Sequence, residues 1–207
     1  MPQGKGDTDA TAGRRTPPRV IIDACVWHSA FVRHVLRHLA IEGLFEPHWT
    51  ARIESEWMQS VCKARPQIPL ERLIQVRDRF RAEFPSGLLS IRLPRRTLPP
   101  LPDPNDAHVA EAALACKAEV ICTLDDWGFP PEILRRLGIE ALSPDELVCR
   151  LIEWEPARCR VSLNDHRTAL RSPAMSRHEY LLSMSRAGLR RGAVALRTAD
   201  PTIDTAK

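Results

Sequence analysis

Two short apolar runs that each finish against an acid constrain this chain most: Arg19-Val-Ile-Ile-Asp23 and Glu119-Val-Ile-Cys-Thr123-Leu-Asp125. A run this short, apolar at consecutive positions, suits a strand of a parallel sheet covered on both faces. A carboxylate directly after such a run is costly to bury without a partner, which places both acids at the end of a strand rather than inside it. Helical periodicity fills the intervals. Ala24 to Ala40 carries Val26, Phe31, Val35, Leu36 and Leu39 at helical spacing, and Pro69 to Phe84 reads as another amphipathic helix. Thr50 can cap a helix running through Lys63, with Ile53, Trp57 and Val61 on one face. Strands alternating with helices predict an α/β fold with a mainly parallel central sheet flanked by helices.

Pro47-His-Trp-Thr50 reads as a break, Leu88 to Leu93 as a possible strand, and Leu93 to Pro104, with five prolines, as an extended loop. Asp103-Pro104 then opens a helix with Val109, Ala112, Ala113 and Cys116 on a slender apolar face. Pro131 to Leu137 is a short helix stopped by Gly138, Ile139 to Leu142 a final strand, and Ser143 the cap of the next helix. Beyond Trp154 only helices are expected, at Asn164 to Leu170 and at Ser176 to Arg186 before Gly188. The chain thus divides into a disordered N-terminal tail (1–18), an α/β body (19–155) and a basic helical C-terminal extension (156–207).

The length of 207 residues suits one domain of about 150 residues plus an appendage. No apolar run approaches the ~18 residues of a membrane span, and Met1 to Pro18 lacks the apolar core of a secretory signal, so a cytoplasmic protein is expected. The six cysteines form no C-x-x-C pair and read as reduced apolar residues rather than a zinc site. The net charge of +4 is uneven: residues 157–207 hold ten basic and four acidic side chains, +6, and leave −2 for the rest. Such a segment is either a binding surface for a polyanion or a solvated helical face.

Four acids occupy informative places. Asp23 and Asp125 lie at the carboxyl ends of two strands, where open parallel sheets bind ligands. Asp106 falls in the first turn of its helix, where it also complements the helix dipole, and Glu56 lies within the helix after Thr50. Gathered at one edge, hard oxygen ligands would bind Mg²⁺ or Mn²⁺ rather than zinc or copper. His34 and His38, four apart, have no third ligand in the sequence. Trp127 and Phe129 either stack on a base or cap the sheet edge.

Four segments, taken in order, resemble the PIN domain of the VapC-like toxin nucleases: Val-Ile-Ile-Asp23-Ala-Cys-Val-Trp, Trp49-Thr-Ala-Arg-Ile-Glu-Ser-Glu56-Trp57, Leu-Pro-Asp103-Pro-Asn-Asp106-Ala-His-Val-Ala-Glu-Ala-Ala and Glu-Val-Ile-Cys-Thr123-Leu-Asp125. The resemblance covers about residues 19–150, and the Arg-rich end is similar to a helical C-terminal region found in one subgroup. It implies a PIN-like fold and a metal-dependent endoribonuclease, the toxin of a toxin–antitoxin pair, in which water activated by Mg²⁺ or Mn²⁺ cleaves RNA. Carried over by position, Asp23, Glu56, Asp106 and Asp125 are the catalytic acids, with Asp23, Asp106 and Asp125 on the metal. Thr123 and Asp103 support them. Glu54 competes with Glu56, which Trp57 favours, and Asp126 competes with Asp125.

The sequence departs from the subgroup after Thr123, having Asp125 where Asn is expected and Gly128 where a later Asp is expected. If that departure disabled metal binding, the alternative is a degenerate PIN module that binds RNA or a protein partner. Arg33, Arg190 and Arg191 are the expected RNA contacts. The resemblance further implies a cognate antitoxin, seated in a groove lined by Val26 to Leu44 and Ile53 to Val61, and homodimers are common in the family.

Overall fold

The computed structural model describes residues 16–90, 98–170 and 174–199. Five strands, β1 (Arg19–Ile22), β2 (Glu46–Thr50), β3 (Leu88–Leu89), β4 (Val120–Cys122) and β5 (Glu140–Leu142), form one sheet in the order β3-β2-β1-β4-β5. Every pairing is parallel, so the carboxyl ends of all five strands share one edge. The chain leaves β1 toward β2 and β3, then returns to β4 on the other side. The strand order therefore reverses between β1 and β4, the position at which parallel sheets open a crevice. The central placement of β1 explains its apolar run: Val20 and Ile21 are wholly buried.

The helices are α1 (Ala30–Ile41), α2 (Ala51–Ala64), α3 (Leu70–Glu83), α4 (Ala107–Cys116), α5 (Pro131–Leu134), α6 (Pro144–Trp154), α7 (Pro156–Ala169), α8 (Arg177–Arg186) and α9 (Arg190–Ala199). Side-chain capping placed the starts of α1, α2, α6 and α8. The Thr50 hydroxyl accepts from Ile53 N at 3.2 Å, and Ser143 and Ser176 close capping boxes with Glu146 and Glu179. Gly138 and Gly188 stop their helices at φ of +72° and +95°.

Some expectations are corrected. The segment Ala24 to Ala40 is two elements, a 3₁₀ turn at Ala24–His28 and then α1, because Asp23 caps the first and Ser29, accepting from Val32 N, restarts the second. The helix expected at Asp103-Pro104 begins with a 3₁₀ turn, Pro104–Asp106, before α4.

The break expected at Pro47 is strand β2. Glu46 N donates to Pro18 O toward β1, and Trp49 N donates to Gly87 O toward β3. Alternation therefore turns the missing N–H of Pro47 toward β3, whose pairing covers only Trp49 and Thr50. No ladder bond is lost there. Of the strand expected at Leu88 to Leu93, Leu88–Leu89 forms, and 91–97 lie outside the described residues.

The C-terminal helices are packed onto the body. Cys159, Leu163, Tyr180, Met184, Leu189, Ala193 and Leu196 share one core with the sheet residues, α7 resting on α1 and α9 on α6. Helix α7 starts well before the expected Asn164, and α9 was not evident in the sequence because its cap comes from elsewhere. Asp145 at the start of α6 accepts from Arg191 N at 3.0 Å and Gly192 N at 2.8 Å, and Gly192 lets the two helices approach, since a Cβ there would meet Val148 at 2.8 Å. Residues 1–15 of the expected tail and 200–207 of the extension lie outside the described residues.

Candidate active site

Asp23 follows β1 directly, where the strand ends and a 3₁₀ turn begins. It is nearly buried, and both its oxygens accept hydrogen bonds: Oδ1 from Ala24 N at 2.6 Å, Oδ2 from the Thr123 hydroxyl at 2.8 Å and the Cys25 thiol at 3.1 Å. Burial, and then the charge of Asp23, push the Cys25 thiol up to about 12, so it stays protonated and donates. Leu124 N in turn donates to Cys25 Sγ at 3.1 Å, tying the ends of β1 and β4 together.

Asp106 closes the 3₁₀ turn ahead of α4, opposite these strand ends. Its Oδ2 is buried with no hydrogen-bond partner. Burial, followed by the charges of Asp103, Asp125, Asp23 and Glu56, pushes its carboxyl up to about 6. All four charges are acids, and that makes this the least compensated carboxylate of the edge.

Asp125 is brought to it by an Asx turn. Oδ1 accepts from Trp127 N at 3.0 Å and Gly128 N at 2.9 Å, while the Asp125 amide donates to the Thr123 hydroxyl at 3.0 Å. Gly128 packs against both acids: a Cβ there would collide with Asp106 Oδ2 and lie 2.7 Å from Asp125 Oδ2. The glycine found where the resembling subgroup has an acid thus lets Asp125 and Asp106 converge on one point.

The two candidate glutamates of α2 part company. Glu54 is buried and fully engaged, accepting from Trp49 Nε1 at 2.7 Å and from Arg81 through Nε at 3.0 Å and through Nη2. Glu56, two residues on, faces the acid cluster, with Arg52 Nε at 2.8 Å and His108 Nε2 at 3.2 Å. Asp126 is exposed, whereas Asp125 meets Asp106. Asp103 caps its turn through Asn105 N at 2.8 Å and acts on Asp106 by charge.

The arginines also divide. Arg33, expected to reach RNA, is turned inward: it donates to Trp27 O, stands 5.5 Å over the Trp57 ring, and has its Nε buried without a partner. Burial, and then Arg65, hold its guanidinium down at about 10. Arg190 and Arg191 are exposed at the start of α9, which docks on the start of α6 and therefore stands at the carboxyl edge beyond β5. Of the segments expected to line a groove, Val26 to Leu44 and Ile53 to Val61, the side chains of Val26, Val32, Val35, Leu36, Leu39, Ile53, Trp57 and Val61 are buried in the core.

Among the described residues, no three His, Cys, Asp or Glu side chains enclose an ion by themselves. The donor set still fits a hard cation, since Mg²⁺ is typically held by one or two carboxylates and completed by water and phosphate. The orphaned Asp106 Oδ2 and the adjoining Asp125 Oδ2 are such a pair, with Asp23 beside them.

Family models match residues 19–126 as a PIN domain and residues 144–198 as the VapC50 C-terminal domain. The chain belongs to the PIN-domain family. Within it, the second match makes this a VapC-like protein with a C-terminal extension. No curated protein and no solved structure matches the chain.

Sequence reasoning did not single out four residues of this candidate site: Cys25 holding Asp23, His108 and Arg52 holding Glu56, and Gly128 packed against both aspartates. Only Gly128 left a signal, as a departure from the subgroup; the others are ordinary residue types whose partners come from distant segments.

Proposed function

We propose that this PIN protein is a metal-dependent endoribonuclease, the toxin of a toxin–antitoxin pair, which hydrolyses RNA phosphodiester bonds. The observation that carries the reading is Asp106: a carboxylate with a buried, unpartnered oxygen among four further acids, at the switch point of a parallel sheet. A cluster of this kind is tolerated best when a cation neutralises it.

Asp106, Asp125 and Asp23 would hold Mg²⁺ (or Mn²⁺). When bound, the ion supplies a Lewis acid that lowers the pKa of water and offsets phosphate charge. Thr123 and Cys25 keep Asp23 in one orientation, and the Asx turn at Asp125 does the same there. Glu56, steadied by His108 and Arg52, stands at the rim to orient the attacking water and take its proton. In-line attack of that water on phosphorus forms one P–O bond as the bond to O3′ breaks, and O3′ takes a proton from solvent water, leaving a 5′-phosphate and a 3′-hydroxyl. Arg190 and Arg191 would hold the RNA backbone through charge-assisted bonds. A cognate antitoxin protein, and pairing into homodimers, belong to the same reading.

Asp23→Asn tests it. Mg²⁺-dependent cleavage of RNA should fall by about a thousandfold or more and growth arrest on expression should be relieved; undiminished cleavage would overturn the assignment. Titration calorimetry with Mn²⁺ should show a site lost on Asp106→Asn, the result that distinguishes a nuclease from a binding-only module.

A further inference from the structure

Trp127 does not do what an indole beside a sheet edge usually does. Phe129, two residues on, is buried at 1% exposure and closes the edge; Trp127 is 68% exposed, the most open large hydrophobic side chain among the described residues. The other three tryptophans near the sheet, Trp27, Trp49 and Trp57, are packed against one another in the core. Leu124, on the same loop, is exposed at 61%. Holding an indole in water forfeits the burial of one of the largest apolar side chains, a cost unlike that of a scattered aliphatic residue.

The loop beneath it is not loose. Trp127 N donates to Asp125 Oδ1, and Asp125 N donates to the Thr123 hydroxyl that also holds Asp23. Gly128 next to it packs on Asp106 and Asp125. The residue that orients an acid of the centre therefore also fixes the backbone that presents the indole, so ring and acids keep a set spacing.

From this arrangement we infer that Trp127, flanked by Leu124, is a stacking platform for an unpaired base of the RNA next to the scissile phosphate. The inference rests on the nuclease reading for the identity of the ligand. Stacking suits this position because every base offers a π-face and because a base in a duplex is already stacked on its neighbours. It also complements the acids: a base contact binds the substrate without adding negative charge to repel, and it places the adjoining phosphate over the cluster. Trp127 is thus a positioning residue for the reaction.

The test uses short single-stranded RNA on full-length protein carrying Asp106→Asn, which keeps the oligonucleotide intact and relieves the charge on the cluster. Binding should quench tryptophan fluorescence, and Trp127→Ala should remove that quenching and weaken binding at least about fivefold, with Trp127→Phe retaining most of the affinity. An abasic site opposite the ring should cost a similar factor with Trp127 present and nothing with alanine there. A duplex of the same sequence should bind no better with tryptophan than with alanine. Equal single-strand affinity for Trp127 and Trp127→Ala overturns the inference, and so does a change confined to self-association or partner capture, which would make the indole a protein contact. Failure of the nuclease reading shows separately, as wild-type cleavage that survives Asp23→Asn, while the quenching still reports on the base.

Discussion

The seam between α2 and α3 and the carboxyl edge of the sheet each bury a carboxylate oxygen, and they treat it in opposite ways. At the seam, Glu54 accepts from Trp49 Nε1 and from two nitrogens of Arg81, whose guanidinium that hydrogen bond raises above its ordinary value. At the edge, Asp106 has a buried oxygen with no partner and acids on every side that acts on it. The first carboxylate is complete within the fold and serves to join two helices. The second costs stability that the fold alone does not return, which is what the proposed ion-binding role would offset. Two glutamates two positions apart on α2 thus have unlike surroundings: Glu54 is buried against Trp49 and Arg81, and Glu56 is half-exposed beside Arg52 and His108.

The sharpest way to break this contrast is to exchange the fates of the two glutamates. Glu56→Gln should lower cleavage about a hundredfold or more while leaving the melting temperature almost unchanged. Glu54→Ala should do the reverse, costing about 2 kcal/mol, or some 5 °C in thermal melts, because it strands Arg81 and Trp49, with metal affinity unaltered. If Glu54→Ala removed metal binding in calorimetry and Glu56→Gln did not affect cleavage, the seam and the edge would have been confused.

Next in size is Gly128→Ala. The added methyl has nowhere to go but into Asp106 and Asp125, and a displacement of about 1 Å at a catalytic group costs up to about a hundredfold in rate. Single-turnover kinetics should show the loss, accompanied by weaker Mn²⁺ binding.

Stability against pH tests the lack of compensation itself. With its value raised to about 6, Asp106 binds its proton more tightly in the folded than in the unfolded chain, so charging it works against folding. That cost is absent below about pH 4, builds between the ordinary carboxylate value of 3.8 and about 6, and is complete above. Metal-free Asp106→Asn should therefore melt about 2–4 °C above the wild type at pH 7.5, a gap limited by partial exposure to solvent, and should match it near pH 4. A constant gap across that range would mean that charge is not the cause.

The smallest effect concerns the basic extension. Arg190→Ala with Arg191→Ala should reduce the salt slope of RNA binding by about 1.5, since each phosphate contact contributes about 0.7–0.9. Asp145 holds α9 through the amides of Arg191 and Gly192, which the substitutions keep. An unchanged slope would return these arginines to the solvated surface.

Much of this was legible in the sequence. Strands β1 and β4, the starts of α2, α6 and α8, and the placing of Asp23 and Asp125 at strand ends all follow from apolar runs, capping residues and terminal acids. Local signals failed where a partner from elsewhere decided the outcome. Pro47 reads as a breaker until β3 is seen to start after it, and α9 has no cap of its own because Asp145 supplies one across 46 residues. Arg33 reads as a surface cation until Trp27 and Trp57 close over it.

By itself the sequence determined the α/β alternation and the family and nominated the candidate acids, because periodicity, capping and strand-end acids act within a few residues. Only the tertiary structure chose among those acids, satisfying Glu54 with Arg81, leaving Asp126 in water, and turning Asp125 onto Asp106 across Gly128. The physical reason is that a carboxylate's role depends on which donors and charges surround it, and at this edge those come from segments as much as a hundred residues apart, as Thr123 and Asp23 are.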